Sequence, residues 1–172
     1  MPNRTNSMQP GSHEEAIIGE FQRTLDDRYR LALPPEVAQF LGSDATDAVL
    51  VKERDRCLSL WKPETWNQHF EKFANNLKRQ IADDIYESRR IPDVQRAARL
   101  LSARYRRIQI GQRSRLLIPE GFREFLSVAA NGEVAIIGAG VCVEIWHPEA
   151  WLAYLKTDLE FFNESFRNIA AG

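Results

Sequence analysis

Apolar residues in this chain come in short alternating runs punctuated by proline, and the same succession of runs occurs twice. FQRTL (21–25) and RRIQI (106–110) carry the every-second-residue pattern of strands. Each leads through a polar turn to a brief apolar strand, LAL (31–33) or LLI (116–118), halted by a proline that cannot donate to a sheet ladder. Pro-Glu then opens a short helix, with Pro35 or Pro119 near its first turn and Val37, Phe40, Leu41 or Phe122, Phe125, Leu126 along one side. A hairpin follows, AVLVK with CLSLW in the first copy and EVAIIG with VCVEIW in the second, its turns expected at 53–56 and 138–140.

A Trp-x-Pro-Glu segment next starts a longer helix, because proline suits the first helical position and a carboxylate there meets the positive end of the helix dipole. Trp66, Phe70, Phe73, Leu77 and Ile81 form its apolar stripe in the first copy; Trp151, Leu155, Leu159, Phe162 and Phe166 do so in the second. Between the copies, IPDVQRAARLLSAR predicts a further helix with Val94, Ala97, Ala98 and Leu101 facing inward.

The duplication has one register. RLALPPEVAQFL beginning at 30 matches RLLIPEGFREFL beginning at 115, and this offset of 85 persists without a gap. Within it Arg28, Arg30, Pro34, Phe40, Leu41, Val49, Trp61, Pro63, Glu64 and Trp66 meet identical residues at Arg113, Arg115, Pro119, Phe125, Leu126, Val134, Trp146, Pro148, Glu149 and Trp151. One copy has too few strands to cover its own sheet edges. Two copies paired about a pseudo-twofold axis are therefore expected to share one intertwined α+β core with helices outside it. The expected divisions are a flexible tail at 1–15, a first repeat with its C-terminal helix at 16–81, a linker helix at 82–103, and a second repeat with its helix at 104–172.

Composition narrows the chemistry. A chain of 172 residues with 44% hydrophobic content can bury a core, and its net charge of −1 gives no overall attraction to polyanions, so any nucleic-acid contact must come from local clustering. Cys57 and Cys142 are too few for a disulfide framework and show no zinc spacing. MPNRTNSMQPGSHEE lacks the apolar segment of a secretory signal and no run reaches membrane-spanning length, so the expected home is the cytoplasm, without membrane contact.

Enzyme signatures are missing. His13, His69 and His147 have no metal-binding spacing, and GAGVC (138–142) lacks the third glycine and following helix of a phosphate loop, which leaves a hairpin turn. The carboxylates Asp26, Asp27 and Glu20 meet Gly111, Gln112 and Tyr105 in the second copy, so no acid/base constellation is duplicated. The cysteines read as small buried apolar residues. No catalytic residue, metal, cofactor or small-molecule substrate is expected.

Arginine stands apart. RYRRIQIGQRSR holds Arg104, Arg106, Arg107, Arg113 and Arg115 with no acid among them, and the first copy supplies Arg23, Arg28 and Arg30. Paired strands would leave 26–30 and 111–115 as matching loops, each presenting two arginines at one spacing. A solvated charged turn remains the alternative, but the guanidinium fork suits phosphate oxygens and the guanine O6/N7 edge.

Asp26-Asp27-Arg28-Tyr29-Arg30 followed by LALPP resembles the Asp-x-Lys-Gly-Arg-x-x-x-Pro signature of the MraZ family, regulators of the bacterial division and cell-wall gene cluster related to the AbrB/SpoVT-like swapped-hairpin transcription factors. GQRSRLLIPEGFREFL with VEIWHPEAW resembles the second repeat of that family, and the likeness spans about residues 17–160. It implies a double-repeat pseudo-twofold β-barrel, a ring-shaped homo-oligomer, and binding of double-stranded DNA at promoter direct repeats through the signature loops, with nucleoid association.

Residue by residue, Arg28 takes the lysine position, Arg30 and Arg115 match the arginines and Asp26 the aspartate, so the expected DNA-binding set is Arg28, Arg30, Arg113, Arg115, Arg23 and Arg107. Asp26, Pro34 and Pro119 would shape the loops. Tyr29 and Ser114 stand where the family has glycine, which would restrict positive φ, and Gly111 replaces the second aspartate. The rival reading is an AbrB-like antitoxin or assembly scaffold whose partner is a protein, reached through the acidic C-terminal helix with Glu144, Glu149, Asp158, Glu160 and Glu164.

Overall fold

A computed structural model describes residues 16–42, 46–84, 91–159 and 161–171; the expected tail at 1–15 lies outside them, as do 85–90 of the expected linker. The first copy supplies β1 (Ile17–Thr24), β2 (Arg30–Ala32), α1 (Pro35–Leu41), β3 (Asp47–Arg54), β4 (Cys57–Trp61) and α2 (Pro63–Asp84). Helix α3 (Ile91–Arg104) runs directly into β5 (Tyr105–Gln109), and the second copy continues with β6 (Arg115–Leu117), α4 (Glu120–Leu126), β7 (Glu133–Gly140), β8 (Val143–Trp146), α5 (Pro148–Asp158) and α6 (Phe162–Ala170).

Six strands form one antiparallel sheet in the order β1-β7-β8-β4-β3-β5, and β2 pairs with β6 in a separate ribbon. The order reads identically from either end once the copies are exchanged, which puts the pseudo-twofold axis between β4 and β8. Each copy's first strand lies on the other copy's side, β1 on β7 and β5 against β3. The copies are thus intertwined as the pattern predicts. The sheet does not close into the expected barrel: β1 and β5 are its edges. The reason is geometric, because the three-residue strands β2 and β6 pair with each other and cover one face instead of joining the edges.

That face is the main core. Leu31 and Leu116, directly opposite each other in the ribbon, bury completely against Leu50, Leu58, Leu60, Ile136, Val143 and Ile145 of the sheet, with α1 and α4 adding Val37, Phe40 and Phe122. The opposite face takes the long helices. Trp66 of α2 packs on Val49 and Val51, and Trp146 packs with Cys57, Ala135 and Ala150 of α5. The alternation of side chains along each strand explains this division, since neighbouring residues face opposite layers.

Three local expectations need correction. The second hairpin turns at Val141–Cys142 and not at 138–140, because the glycines lie within β7; a Cβ on Gly138 would sit 2.8 Å from the Ile17 carbonyl carbon. Cys142 therefore sits in the turn, not in a strand matching Cys57 in β4. The long C-terminal stripe is divided between α5 and α6, where Phe161 N–H bonds the Asp158 carbonyl and Phe162 N–H that of Leu159, the tighter i to i−3 pattern. In α3, Val94, Ala97 and Leu101 are half-buried while Ala98 is exposed.

Candidate nucleic-acid interface

The ribbon decides where the arginines point. Leu31 and Leu116 face the core, so their neighbours Arg30, Ala32, Arg115 and Leu117 share the outer face. Arg30 lies opposite Leu117 and Ala32 opposite Arg115. Arg30 and Arg115 are hence diagonal neighbours, roughly 7–8 Å apart by the spacing of such pairs. The loops carrying Arg28 and Arg113 leave opposite ends of this ribbon and are tied across the axis: Ile118 N–H donates to the Tyr29 carbonyl (3.1 Å) and Leu33 N–H to that of Ser114 (3.0 Å). Pro34 and Pro119 stand just beyond as N-caps of α1 and α4, where a residue without an N–H ends the pairing.

The first loop is held by Asp26. Its Oδ1 accepts from the Arg28 N–H (2.9 Å) and the Arg30 N–H (2.8 Å), while Oδ2 accepts from Arg30 Nε at 2.7 Å. These donors, the Arg30 backbone N–H foremost, hold the Asp26 carboxyl below its ordinary range. Asp26 N–H returns a bond to the Arg30 carbonyl at 3.0 Å. The second loop has the counterpart of that last bond, Gly111 N–H to the Arg115 carbonyl at 2.9 Å, and no carboxylate replaces Asp26.

Tyr29 and Ser114 overturn the expectation that they would restrict positive φ. Both occupy the left-handed region, at φ 59° and 53°, and Arg113 joins them at 57°. Such a residue costs roughly 1–2 kcal/mol against right-handed backbone, so the surrounding bonds must hold it. Tyr29 has a further support that sequence reasoning missed: the Arg123 guanidinium lies over its ring at 4.4 Å, while Arg123 Nε donates to the Ile118 carbonyl. Arg123 corresponds to Ala38 in the first copy, so the repeat register gives no sign of it. An unmatched cation in α4 beside a duplicated loop is the available signal.

The remaining expected residues separate. Arg23 on β1 belongs to the ribbon-facing side of the sheet, with Nη1 on the Gln22 carbonyl. Arg107 on β5 faces the helix layer, where Nη2 donates to Asn67 Oδ1 at 3.0 Å. Arg28, Arg113 and Arg115 are exposed and, among the described residues, enter no ion pair.

The thiols offer no competing chemistry. Burial pushes Cys142 up to about 12 and Cys57 higher still, which disfavours the reactive thiolate. Among the described residues no group of three or more His, Cys, Asp or Glu could hold a metal ion, and no helix is long and apolar enough to cross a membrane.

Comparison with known proteins agrees with the duplicated frame. The model of the family described as "MraZ protein, putative antitoxin-like" matches residues 16–86 and 103–171. The chain is 29% identical over 137 residues to "Transcriptional regulator MraZ" of Thermomicrobium roseum, covering 80% of this chain and 85% of the relative. It is 29% identical over 148 residues to the protein of that name in Mycoplasmoides gallisepticum (86% and 93% covered) and 30% identical over 136 residues to that of Roseiflexus castenholzii (78% and 83%).

Proposed function

The chain belongs to the MraZ family, and from that premise we propose that it is a transcriptional regulator, not an enzyme, that binds double-stranded DNA at promoter direct repeats of the division and cell-wall gene cluster. The observation that carries this reading is the outer face of the ribbon, where Arg30 and Arg115 stand side by side with Arg28 and Arg113 on the loops at either end. The relatives' names support the regulatory role.

Arg30 and Arg115 read base edges in this account, each good bidentate contact contributing roughly 1–3 kcal/mol of discrimination. Arg28 and Arg113 meet phosphates, and Arg23, on the ribbon-facing side of the sheet, adds flanking charge, whereas Arg107, turned to the helix layer, stands apart from this face. Asp26, Pro34 and Pro119 fix the loop shape, so that little ordering remains to be done on binding. Four arginines on one chain bind weakly. A ring-shaped homo-oligomer multiplies the contacts, since tethered copies act at high effective concentration. The cytoplasm, at the nucleoid, is the corresponding location.

Genomic fragments captured by the protein at physiological salt supply the probe. Arg30→Ala with Arg115→Ala should reduce affinity for those fragments by at least about 30-fold, two contacts at the lower end of the range above, with the mass of the assembly unchanged. Undiminished binding by the double variant overturns the assignment. The second reading, an antitoxin or scaffold with a protein partner, is favoured by one observation, the uncovered apolar side of α6. It predicts a neighbouring toxin gene and capture of that protein in place of DNA.

A further inference from the structure

The first copy carries aromatic residues that the shared frame does not require. Phe70, Phe73 and Tyr105 meet Leu155, Asp158 and Glu20 in the second copy, which still seats α5 on the sheet through Trp146 and Ala150. In the first copy these rings wall a cavity of about 270 Å³ between α2 and α3, together with Trp61, Trp66, Glu53 and Arg104. That volume lies just below the roughly 300–1,000 Å³ usual for ligand pockets, so a small organic molecule suits it. The rings are inclined to one another, Trp61 to Trp66 by 62°, Trp66 to Tyr105 by 46° and Phe70 to Tyr105 by 58°. Their electron-rich faces therefore point in several directions instead of forming one flat stack.

Glu53 supplies the acid of the lining. Its Oε2 accepts from Ser59 Oγ at 2.8 Å, and that hydroxyl accepts from Trp61 Nε1 at 2.8 Å, so the carboxylate is tied to one of the walls. Among the described residues Oε1 meets Arg104 Nη2 alone, at 3.7 Å, too long for a hydrogen bond. Arg104 is half exposed and its Nε donates to the Lys52 carbonyl at 3.2 Å. An ion pair this loose and this wet contributes little. The corresponding cluster of the second copy has a cation of its own: the Arg54 guanidinium lies over the Tyr154 ring at 4.8 Å, beside Trp146 and Trp151. Ala139 stands at the position equivalent to Arg54, and among the described residues no lysine or arginine lies over Trp61, Trp66, Phe70 or Tyr105.

We propose that this cavity binds a small organic cation, a quaternary or alkylated ammonium, whose charge rests against the aromatic faces and displaces Arg104 from Glu53 Oε1. Methyl groups on the nitrogen match apolar walls and demand no hydrogen-bond acceptors, while the attraction between cation and ring strengthens as water leaves. Arg104 is the rival cation, so its removal should tighten binding. The cavity lies on the helix-covered face of the sheet, away from the ribbon, and the proposal stands apart from the DNA reading.

Choline chloride titrated into the full-length protein, with neohexyl alcohol as its uncharged carbon analogue, tests this by tryptophan fluorescence and calorimetry. Choline should bind saturably, and neohexyl alcohol at least about 10-fold more weakly. This comparison decides on the wild type, without any variant. Glu53→Gln keeps an acceptor for Ser59 and should weaken choline at least about 5-fold. Phe70→Leu, which installs the residue of the second copy, should weaken it as well, whereas Arg104→Gln should strengthen it. Equal binding of the two probes, no saturable choline binding at tens of millimolar, or weaker binding by Arg104→Gln overturns the proposal. Benzoate bound in preference to choline would assign the cavity to an anion held by Arg104 and overturns it too. No DNA enters these titrations, so their failure leaves the arginine face to be judged by its own variants.

Discussion

The two copies present the same pair of arginines on differently built loops. In the first, Asp26 gathers the backbone N–H groups of Arg28 and Arg30 and the Arg30 side chain, so the loop holds itself. In the second, Gly111 replaces the acid and two successive residues, Arg113 and Ser114, stand in the left-handed region. The formal charge differs accordingly: the two aspartates of 26–30 offset its two arginines, while 111–115 has two arginines and no acid. One loop offsets its arginines with its own acids, and the other leaves them unopposed. Symmetry of the frame does not require symmetry of the surface it carries.

The largest effect on this comparison comes from removing the frame. Leu116→Ala and Leu31→Ala, buried opposite each other at the axis, should each lower unfolding free energy by about 2–5 kcal/mol in urea titration, and the two decreases should be similar. A large inequality between them would show that the ribbon is not evenly shared. Next come the loops themselves. The pair Arg113→Ala with Arg115→Ala should weaken DNA binding more than Arg28→Ala with Arg30→Ala, and should flatten the plot of log K against log salt by up to roughly 0.9 for each phosphate no longer neutralised. Equal weakening by the two pairs would erase the distinction in charge.

A smaller effect separates the brace. Because the folded Asp26 carboxyl ionises below its ordinary value, its stabilisation is present above the unfolded pKa, roughly 3.9, and fades as pH falls through the lower folded value. The stability gap between wild type and Asp26→Asn should therefore be widest above about pH 5 and shrink on acidification. A gap that grows at low pH would contradict the brace.

The smallest effect lies on the helix side, where Glu144 corresponds to Ser59. Each accepts from the indole two residues on, Trp146 Nε1 and Trp61 Nε1, both at 2.8 Å. Burial raises the Glu144 pKa, so its ionised form opposes folding; the cost is absent below the unfolded pKa and complete above the folded one. Glu144→Gln keeps the acceptor without the charge. It should raise stability near pH 7, with the gain lost as pH falls below the ordinary carboxylate range.

The frame is legible because its determinants repeat. Proline after three apolar residues, Trp-x-Pro-Glu before a helix and an unbroken offset of 85 fix both the elements and their pairing across copies. Edges are not legible: the pattern does not say that β2 and β6 pair with each other and leave β1 and β5 unjoined. Nor is the second hairpin, where glycines that look like a turn serve the close approach of β7 to β1 at Gly138. In the candidate site, the doubled arginines can be read directly. The left-handed Tyr29 cannot, because its support comes from Arg123, a cation that the repeat does not duplicate. Charge alone groups Arg107 with the loops, but strand alternation turns it to the helix layer.

The crossing of each first strand onto the other copy's hairpin has a genetic consequence. If the repeats were separate chains, two identical polypeptides would have to meet to complete the sheet, and every substitution in one loop would appear in the other. Joining them end to end removes that coupling. An aspartate can be kept on one side and dropped from the other, and a tyrosine can be matched by a serine, while the shared sheet stays intact. Fusion therefore turns an obligatory pair into two independently heritable surfaces, each free to drift toward its own half of whatever it meets.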